Sequence, residues 1–218
     1  ERARAIRETF PDLKVAIIGA NPRVAARKRD QRVTSWNDIV IEKALSTADA
    51  LTFHDYQQAM LRSGEFAPEE VERALAGALQ QTREMVGVDL TRRMPASNKI
   101  WVTEFNILPV RSPPAVAGTW MHGLYVAAMT ATLMEQPSVT ITCNHVLLGD
   151  ADFATIFADE KTMRAPVFAG PDRHSVGSVT PFTLSASGLT LALYSRTIQD
   201  KQKATLLEFP PPAAGQTR

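Results

Sequence analysis

The stretch KIWVTEFN, residues 99–106, places a carboxylate near the end of an apolar run. Ile100, Trp101 and Val102 are typical of a buried strand, whereas Glu104 carries a charge. Because an unpaired buried charge destabilises a fold strongly, Glu104 is either satisfied by neighbouring groups or placed there for chemistry. The pattern of the remaining chain decides between these two interpretations.

Composition excludes several classes of protein. The chain has 218 residues, of which 44% are hydrophobic, so it can bury a sizeable core. Its 24 Lys and Arg balance 23 Asp and Glu, and a net charge of +1 favours neither nucleic acid nor an anionic membrane as a partner. No apolar run reaches the roughly 18 residues of a membrane span. A single cysteine, Cys143, excludes an internal disulfide framework and leaves the compartment open between cytoplasmic and secreted.

Apolar strands alternate with amphipathic helical segments, which predicts successive βα units and a parallel sheet. Residues 183–198 combine alternating leucines with a serine-rich opening, and we interpret them as a helix. Residues 203–209 read as a short strand before a Pro-rich terminus. The other predicted strands are 13–20, 48–54, 99–105 and 138–144, and the other predicted helices lie near 34–46, 68–86 and 117–135.

Four βα units at this spacing fit either a doubly wound sheet or half of a (β/α)8 barrel. In both folds the functional residues gather at the carboxyl ends of parallel strands. Here those ends are polar, with Asn21, His54, Tyr56, Glu104 and His145 as candidates. Strand alternation predicts one shared face for Val102, Glu104 and Asn106, and one for Thr52, His54 and Tyr56. Glu104 would then meet an imidazole and a phenol.

The order of these segments resembles the second half of a retaining glycoside hydrolase of the (β/α)8 clan A type. It is most similar to the α-L-arabinofuranosidase and β-xylosidase-like families, whose strand six carries Asp-x-x-x-x-His-x-Tyr. Asp49, His54 and Tyr56 match that pattern, and Glu104 in WVTEFN matches the nucleophile that ends strand seven. Phe105 departs from the family, which usually has Trp there.

The resemblance implies a retaining mechanism, in which two carboxyl groups about 5 to 5.5 Å apart flank the glycosidic bond. Glu104 would be the nucleophile, with Tyr56 as the phenol that donates to it. His54, Asn21 and His145 are candidate contacts to the sugar. Trp120 and His122, in GTWMHG, would offer an aromatic platform and a polar contact, or else simply pack a helix. No cofactor and no metal are implied.

The second carboxylate of such an enzyme has no counterpart in this sequence, because it ends strand four and residue 1 falls after that point. We therefore expect residues 1–200 to be strands five to eight of a TIM-barrel catalytic domain, and 201–218 to begin an accessory β-domain or linker. The expected partners are an arabinoside or xyloside and the missing N-terminal half of the barrel. The unpaired sheet edges would also permit a homo-oligomer.

Three other interpretations compete with the glycosidase. A non-catalytic carbohydrate-binding or structural half-barrel would keep the polar strand ends without the second carboxylate. A nucleotide-binding domain is disfavoured because Gly19 follows a strand without a GxGxxG or GxxxxGK[ST] motif. Cys143 and His145 have the residue types of a thiol protease, but their spacing does not enforce a nucleophile–base hydrogen bond.

Overall fold

A computed structural model describes residues 2–22, 35–59, 61, 66–107, 116–149, 154–158 and 182–199. Four strands form one parallel sheet whose spatial order is their order along the chain. They are β1 (Ala16–Ile18), β2 (Ala50–Gln57), β3 (Lys99–Ile107) and β4 (Val139–Asn144). The predicted parallel α/β sheet is therefore confirmed. A second, small parallel sheet consists of two strands of two residues each, β5 (Leu148–Gly149) and β6 (Ile156–Phe157).

Helices precede, separate and follow the strands, as the alternating pattern predicts. The segment 183–198, ambiguous in sequence, is a helix from Ala186, and its preceding Ser185 accepts a hydrogen bond from the Gly188 amide at 3.1 Å. The helices are α1 (Arg2–Thr9), α2 (Trp36–Lys43), α3 (Pro68–Glu84), α4 (Trp120–Met134) and α5 (Ala186–Ile198).

Helix α3 shows how the sequence sets both the start and the orientation of a helix. Pro68 lies in the first turn, where a missing N–H costs nothing, and Glu69 and Glu70 follow at the positive end of the helix dipole. The buried side chains recur at helical spacing, at Val71, Ala74, Ala78 and Thr82. The helical path runs beyond its predicted end at 86, through a π-helical turn (Met85–Leu90) and a 3₁₀ turn (Thr91–Arg93).

The two faces of the sheet differ in what covers them. On the covered face, strand side chains pack with helical ones in one hydrophobic core; its members include Leu51, Phe53, Ile100, Val102 and Phe105. On the open face, Ile18, Thr52, Trp101 and Ile141 lie in register across the four strands. Ile18 is 73% exposed and Ile141 is 39% exposed, so within the described residues no helix covers this face. A doubly wound sheet would have helices on both faces.

A β-bulge in β3 changes the predicted alternation. Phe53 pairs with Val102 but the next residue, His54, pairs with Glu104, which leaves Thr103 as an extra residue. Val102, before the bulge, faces the core at 0% exposure, whereas the bulge turns Glu104 to the open face. The predicted shared face is therefore wrong for Val102, while Glu104 and the fully buried Asn106 pair with His54 and Tyr56, two residues apart on β2.

Two remaining expectations concern the ends and the environment of the chain. Residues 201–218, with the predicted strand at 203–209, lie outside the described residues. Within the described part, no helix has the length and apolar character needed to cross a bilayer.

Candidate active site

Four polar side chains meet on the open face at the carboxyl ends of β2, β3 and β4. We call His54, Tyr56, Glu104 and His145 the carboxylate cluster. His54 and Tyr56 alternate outward along β2, and Glu104 joins them because of the bulge at Thr103. Without the extra residue, regular alternation from the buried Val102 would place Glu104 on the covered face, away from His54 and Tyr56.

Both contacts to Glu104 go to one of its oxygens. The Tyr56 hydroxyl donates to Glu104 Oε2 at 2.7 Å, so the contact predicted from the sequence is present. His54 Nδ1 lies 3.3 Å from the same oxygen. Within the described residues Oε1 has no hydrogen-bond partner, and the Glu104 side chain is 34% exposed. One oxygen thus accepts the phenol hydrogen bond and has the His54 imidazole beside it, while within the described residues the other has no hydrogen-bond partner.

The environment of Tyr56 keeps it a donor. Burial raises the pKa of the Tyr56 phenol well above its usual value, and the hydrogen bond and negative charge of Glu104 raise it further. The phenol therefore holds its proton at neutral and moderately alkaline pH. A protonated phenol beside a carboxylate stabilises the charged form of the carboxylate.

His145 joins the cluster from the segment after β4. Its Nδ1 lies 2.9 Å from the Tyr56 hydroxyl oxygen, and the two rings meet edge to face with centroids 6.2 Å apart. Its backbone carbonyl accepts a hydrogen bond from the Asn106 side-chain amide. Asn106 therefore connects the end of β3 to the residue that contacts Tyr56.

Asn106 is a residue that sequence reasoning did not assign to the site. Its Oδ1 lies 2.6 Å from His122 Nε2 and also accepts the Ile107 amide at 2.7 Å, while its carbonyl accepts the Tyr125 hydroxyl at 3.1 Å. The sequence signal that could have found it is a polar residue within an apolar strand. Because buried amides are hydrogen-bonded, such a residue predicts a buried polar contact.

The remaining predicted site residues lie around the cluster and not within it. Asn21 follows β1 and donates from Nδ2 to the His54 backbone carbonyl at 3.2 Å, so it borders the cluster. Trp120, 54% exposed, begins α4 with its ring centroid 6.1 Å from that of Phe66. In the described chain, no hydrogen bond joins Trp120 to the carboxylate cluster.

His122 does not offer a polar contact to a ligand. It is 1% exposed and hydrogen-bonded to Asn106, so the alternative of helix packing is the correct one. The motif that contains both Trp120 and His122 gave no indication of this difference, although residues two apart on a helix point in directions about 200° apart.

The competing chemistries find no support in the geometry. Cys143 is exposed, and no hydrogen bond between it and His145 occurs within the described residues. Gly19 packs against β2, where a Cβ would come within 2.9 Å of the Thr52 carbonyl oxygen, so its small size serves strand packing. In the part of the chain that is described, no three His, Cys, Asp or Glu side chains are grouped to hold a metal ion.

Comparisons with known proteins give a fold relationship. No family model matches the chain, and no curated protein matches its sequence. A family 51 alpha-L-arabinofuranosidase from Bifidobacterium longum matches in structure with a TM-score of 0.61 and 12% identity, over 89% of this chain and 39% of that chain. A GH51 arabinofuranosidase from Xanthomonas axonopodis pv. citri gives a TM-score of 0.45 at 15% identity, over 71% of this chain and 34% of that one. An alpha-L-arabinofuranosidase from Thermotoga maritima, solved as an arabinose complex, gives a TM-score of 0.41 at 17% identity, over 71% of this chain and 29% of that chain.

The fold assignment rests on the first of these matches, because the TM-scores of the other two are too low to support one. This chain spans 39% of the length of the Bifidobacterium protein. Its parallel sheet is consistent with part of a TIM-barrel-like domain, and within the described residues the sheet has four strands and does not close. The chain thus shares its α/β fold with part of a family 51 arabinofuranosidase.

Proposed function

We propose that this chain is the C-terminal half, strands five to eight, of the catalytic barrel of a retaining α-L-arabinofuranosidase-like glycosidase. One observation carries the proposal. Tyr56 and His54 both contact Oε2 of Glu104, and within the described residues Oε1 has no partner. A carboxylate with one oxygen held and the other free has the arrangement that a nucleophile needs. The fold shared with a family 51 enzyme supports the same assignment.

The reaction proceeds in two steps. In the first, Glu104 Oε1 attacks the anomeric carbon, the bond to the leaving oxygen breaks, and a second carboxyl group protonates that oxygen. In the second, water attacks the same carbon, the second carboxylate takes a proton from the water, and the Glu104 carboxylate is released. Tyr56 and His54 keep Oε2 oriented through both steps.

The second carboxyl group is proposed to come from the upstream half of the barrel. Asp55, on the neighbouring strand β2, is 0% exposed and accepts hydrogen bonds from Thr82 Oγ1 and Gln57 Nε2, both at 2.6 Å. It lies on the covered face and cannot reach a sugar. We therefore propose that residues 1–200 work only with that upstream half, and that 201–218 begin the next domain.

The substrate is proposed to be an arabinoside or xyloside. His54 and His145 are exposed beside Glu104 and would bind sugar hydroxyls, with Asn21 at the border of the cluster. Trp120, with its ring exposed at the start of α4, would stack on a sugar face. Exposed apolar side chains on the open face, Ile18 and Ile141, would be covered by the upstream half or, in its absence, by a second copy of the chain.

Trapping of the covalent intermediate tests the assignment of Glu104. A 2-fluoro arabinofuranosyl donor with a good leaving group should label the chain when it is joined to its upstream half. Trypsin cuts after Lys99 and Arg111, so the peptide 100–111 carries Glu104 as its sole carboxylate side chain. The label should lie on that peptide and be absent from Glu104→Gln. A label on another peptide would disprove the nucleophile assignment.

The half-barrel assignment has its own assay. We expect the 218 residues alone to hydrolyse an unactivated arabinoside or xyloside poorly, because general acid catalysis supplies about 10²- to 10⁴-fold. Mixing the chain with its upstream half should restore turnover. Full activity of the isolated chain would contradict the half-barrel, and carbohydrate binding without labelling would indicate a non-catalytic domain.

A further inference from the structure

Tyr56 has one proton and two hydrogen-bond neighbours. The phenol oxygen lies 2.7 Å from Glu104 Oε2 and 2.9 Å from His145 Nδ1. An ionised carboxylate can only accept, so the single phenol proton must lie between Tyr56 and Glu104. The contact to His145 can then be a hydrogen bond only if Nδ1 carries a proton and donates to the phenol oxygen.

We propose that His145 is a positioning residue that donates from Nδ1 to Tyr56 and thereby directs the tyrosine proton to Glu104. The hydrogen bonds then run in one direction, from His145 through Tyr56 to Glu104 Oε2. If His145 were instead protonated on Nε2, its Nδ1 would accept, and it would compete with Glu104 for the same phenol proton. The protonation state of one imidazole nitrogen thus decides whether Tyr56 serves the carboxylate.

A buried connection holds His145 in place. Asn106 donates to the His145 carbonyl and accepts from His122 Nε2 at 2.6 Å. The Gly118 amide donates to His122 Nδ1 at 3.1 Å, so Nδ1 of this ring accepts and Nε2 carries the proton. His122 and His145 are therefore opposite tautomers, which gives the measurement an internal control.

The consequence for catalysis rests on the proposed function. In neutral His145 with its proton on Nδ1, Nε2 is an acceptor, and it has no partner within the described residues. An exposed acceptor beside the nucleophile suits a sugar hydroxyl that donates a hydrogen bond. His145 would then orient Tyr56 with one nitrogen and select the substrate with the other.

Nitrogen NMR of the chain itself tests the proposal without any activity. Long-range ¹H–¹⁵N correlation at about pH 8.5, where ordinary histidines are neutral, distinguishes protonated from unprotonated ring nitrogens. We expect protonated Nδ1 in His145 and protonated Nε2 in His122. Single Gln variants of His54, His145 and His174 assign three of the four histidines, and His122 follows by elimination. Protonated Nε2 in His145 would overturn the proposal.

A variant tests whether the His145 tautomer depends on its contact with Tyr56 or on the surrounding loop in general. Tyr56→Phe removes the acceptor, so His145 should lose its preference for Nδ1–H while His122 keeps its tautomer. Cys143→Ser, an exposed change two residues before His145 in β4, should alter neither tautomer. A His145 preference that survives in Tyr56→Phe would also overturn the proposal. If fluoro-sugar labelling fails while the tautomers are as expected, the glycosidase assignment fails and this inference stands.

Discussion

Two carboxylates on neighbouring strands have opposite surroundings. Asp55 on β2 is 0% exposed on the covered face, and it accepts hydrogen bonds from Thr82 and Gln57. Glu104 on β3 is one pairing position away, on the open face, with 34% of its side chain exposed and contacts from Tyr56 and His54. The comparison separates a carboxylate used by the fold from one available to a ligand.

The difference lies in what the neighbouring groups can do. Thr82 and Gln57 are buried and supply neutral hydrogen bonds, which make a buried charge tolerable. Tyr56 and His54 are at least partly accessible and contact a single oxygen, so within the described residues the second oxygen has no hydrogen-bond partner, as the proposed nucleophile requires. Changes at Glu104 should therefore alter activity and leave stability nearly intact, whereas changes around Asp55 should do the reverse.

The largest effect is expected for Glu104→Gln. In the chain joined to its upstream half, the variant should lose several orders of magnitude in turnover, because an amide cannot act as the nucleophile. Its free energy of unfolding should change by only about 0.5 kcal/mol, since the side chain is partly exposed. Steady-state kinetics and urea unfolding measure the two quantities. Near-normal turnover would remove Glu104 from the mechanism.

A smaller loss of activity is expected for Tyr56→Phe. Removal of one preorganised donor beside a reacting group costs about 10²-fold in kcat. The fold should persist, because the phenyl ring keeps the edge-to-face contact with His145. Tyr194→Phe on α5 is the matched control and should be neutral. Equal effects of the two substitutions would mean that the Tyr56 hydroxyl has no special role.

Substitutions on the covered face of the sheet should change the stability of the protein and not its activity. Thr82→Val preserves the shape of the side chain but removes the donor to Asp55 at 2.6 Å, and we expect a loss of about 1.5 to 3 kcal/mol. Thr52→Val, on the open face of β2, should change stability by about 0.5 kcal/mol or less. Urea unfolding of both variants measures the contrast, and equal values would contradict the distinction between the two faces.

The strands, the helices and the contact between Tyr56 and Glu104 could be predicted because they follow from local patterns. Apolar runs give the strands, Pro68 with two glutamates marks the start of α3, and parallel strand ends must meet. Resemblance to arabinofuranosidases supplied the roles for Glu104 and Tyr56. Residue types and their order could thus outline the carboxylate cluster, whereas the proposed roles of its members came from the resemblance.

Two features could not be predicted, for different physical reasons. The bulge at Thr103 is fixed by pairing with both neighbouring strands, because β2 and β4 each oppose one residue fewer between Val102 and Phe105. No local pattern in WVTEFN reveals it. The bond between Asn106 and His122 joins a strand to a helix 16 residues away, and its partners are evident only once the elements pack. Alternation rules therefore failed where tertiary pairing decided the local geometry.

The smallest effect is expected at a third carboxylate, Asp49, just before β2 and at the opposite end of that strand from His54. Its Oδ2 accepts the Val15 amide at 2.8 Å and the Arg7 guanidinium at 3.1 Å, which connects α1 and the segment before β1 to the sheet. The Val15 hydrogen bond, with Arg7 and Lys14, holds the pKa of Asp49 below its usual value despite an opposing effect of desolvation.

Because the pKa of Asp49 is lower in the folded than in the unfolded protein, its contribution to stability is present above the unfolded pKa, near 3.9, and is lost as the pH falls through the folded value. Asp49→Asn keeps an acceptor for Val15 but loses the attraction of Arg7 and Lys14. We expect it to cost about 0.5 to 1 kcal/mol at pH 7, because the ion pairs are partly exposed. Urea unfolding from pH 7 to pH 2 should show the two proteins converging in acid. A difference that persists at pH 2 would mean that hydrogen-bond geometry, and not charge, distinguishes this carboxylate from Asp55 and Glu104.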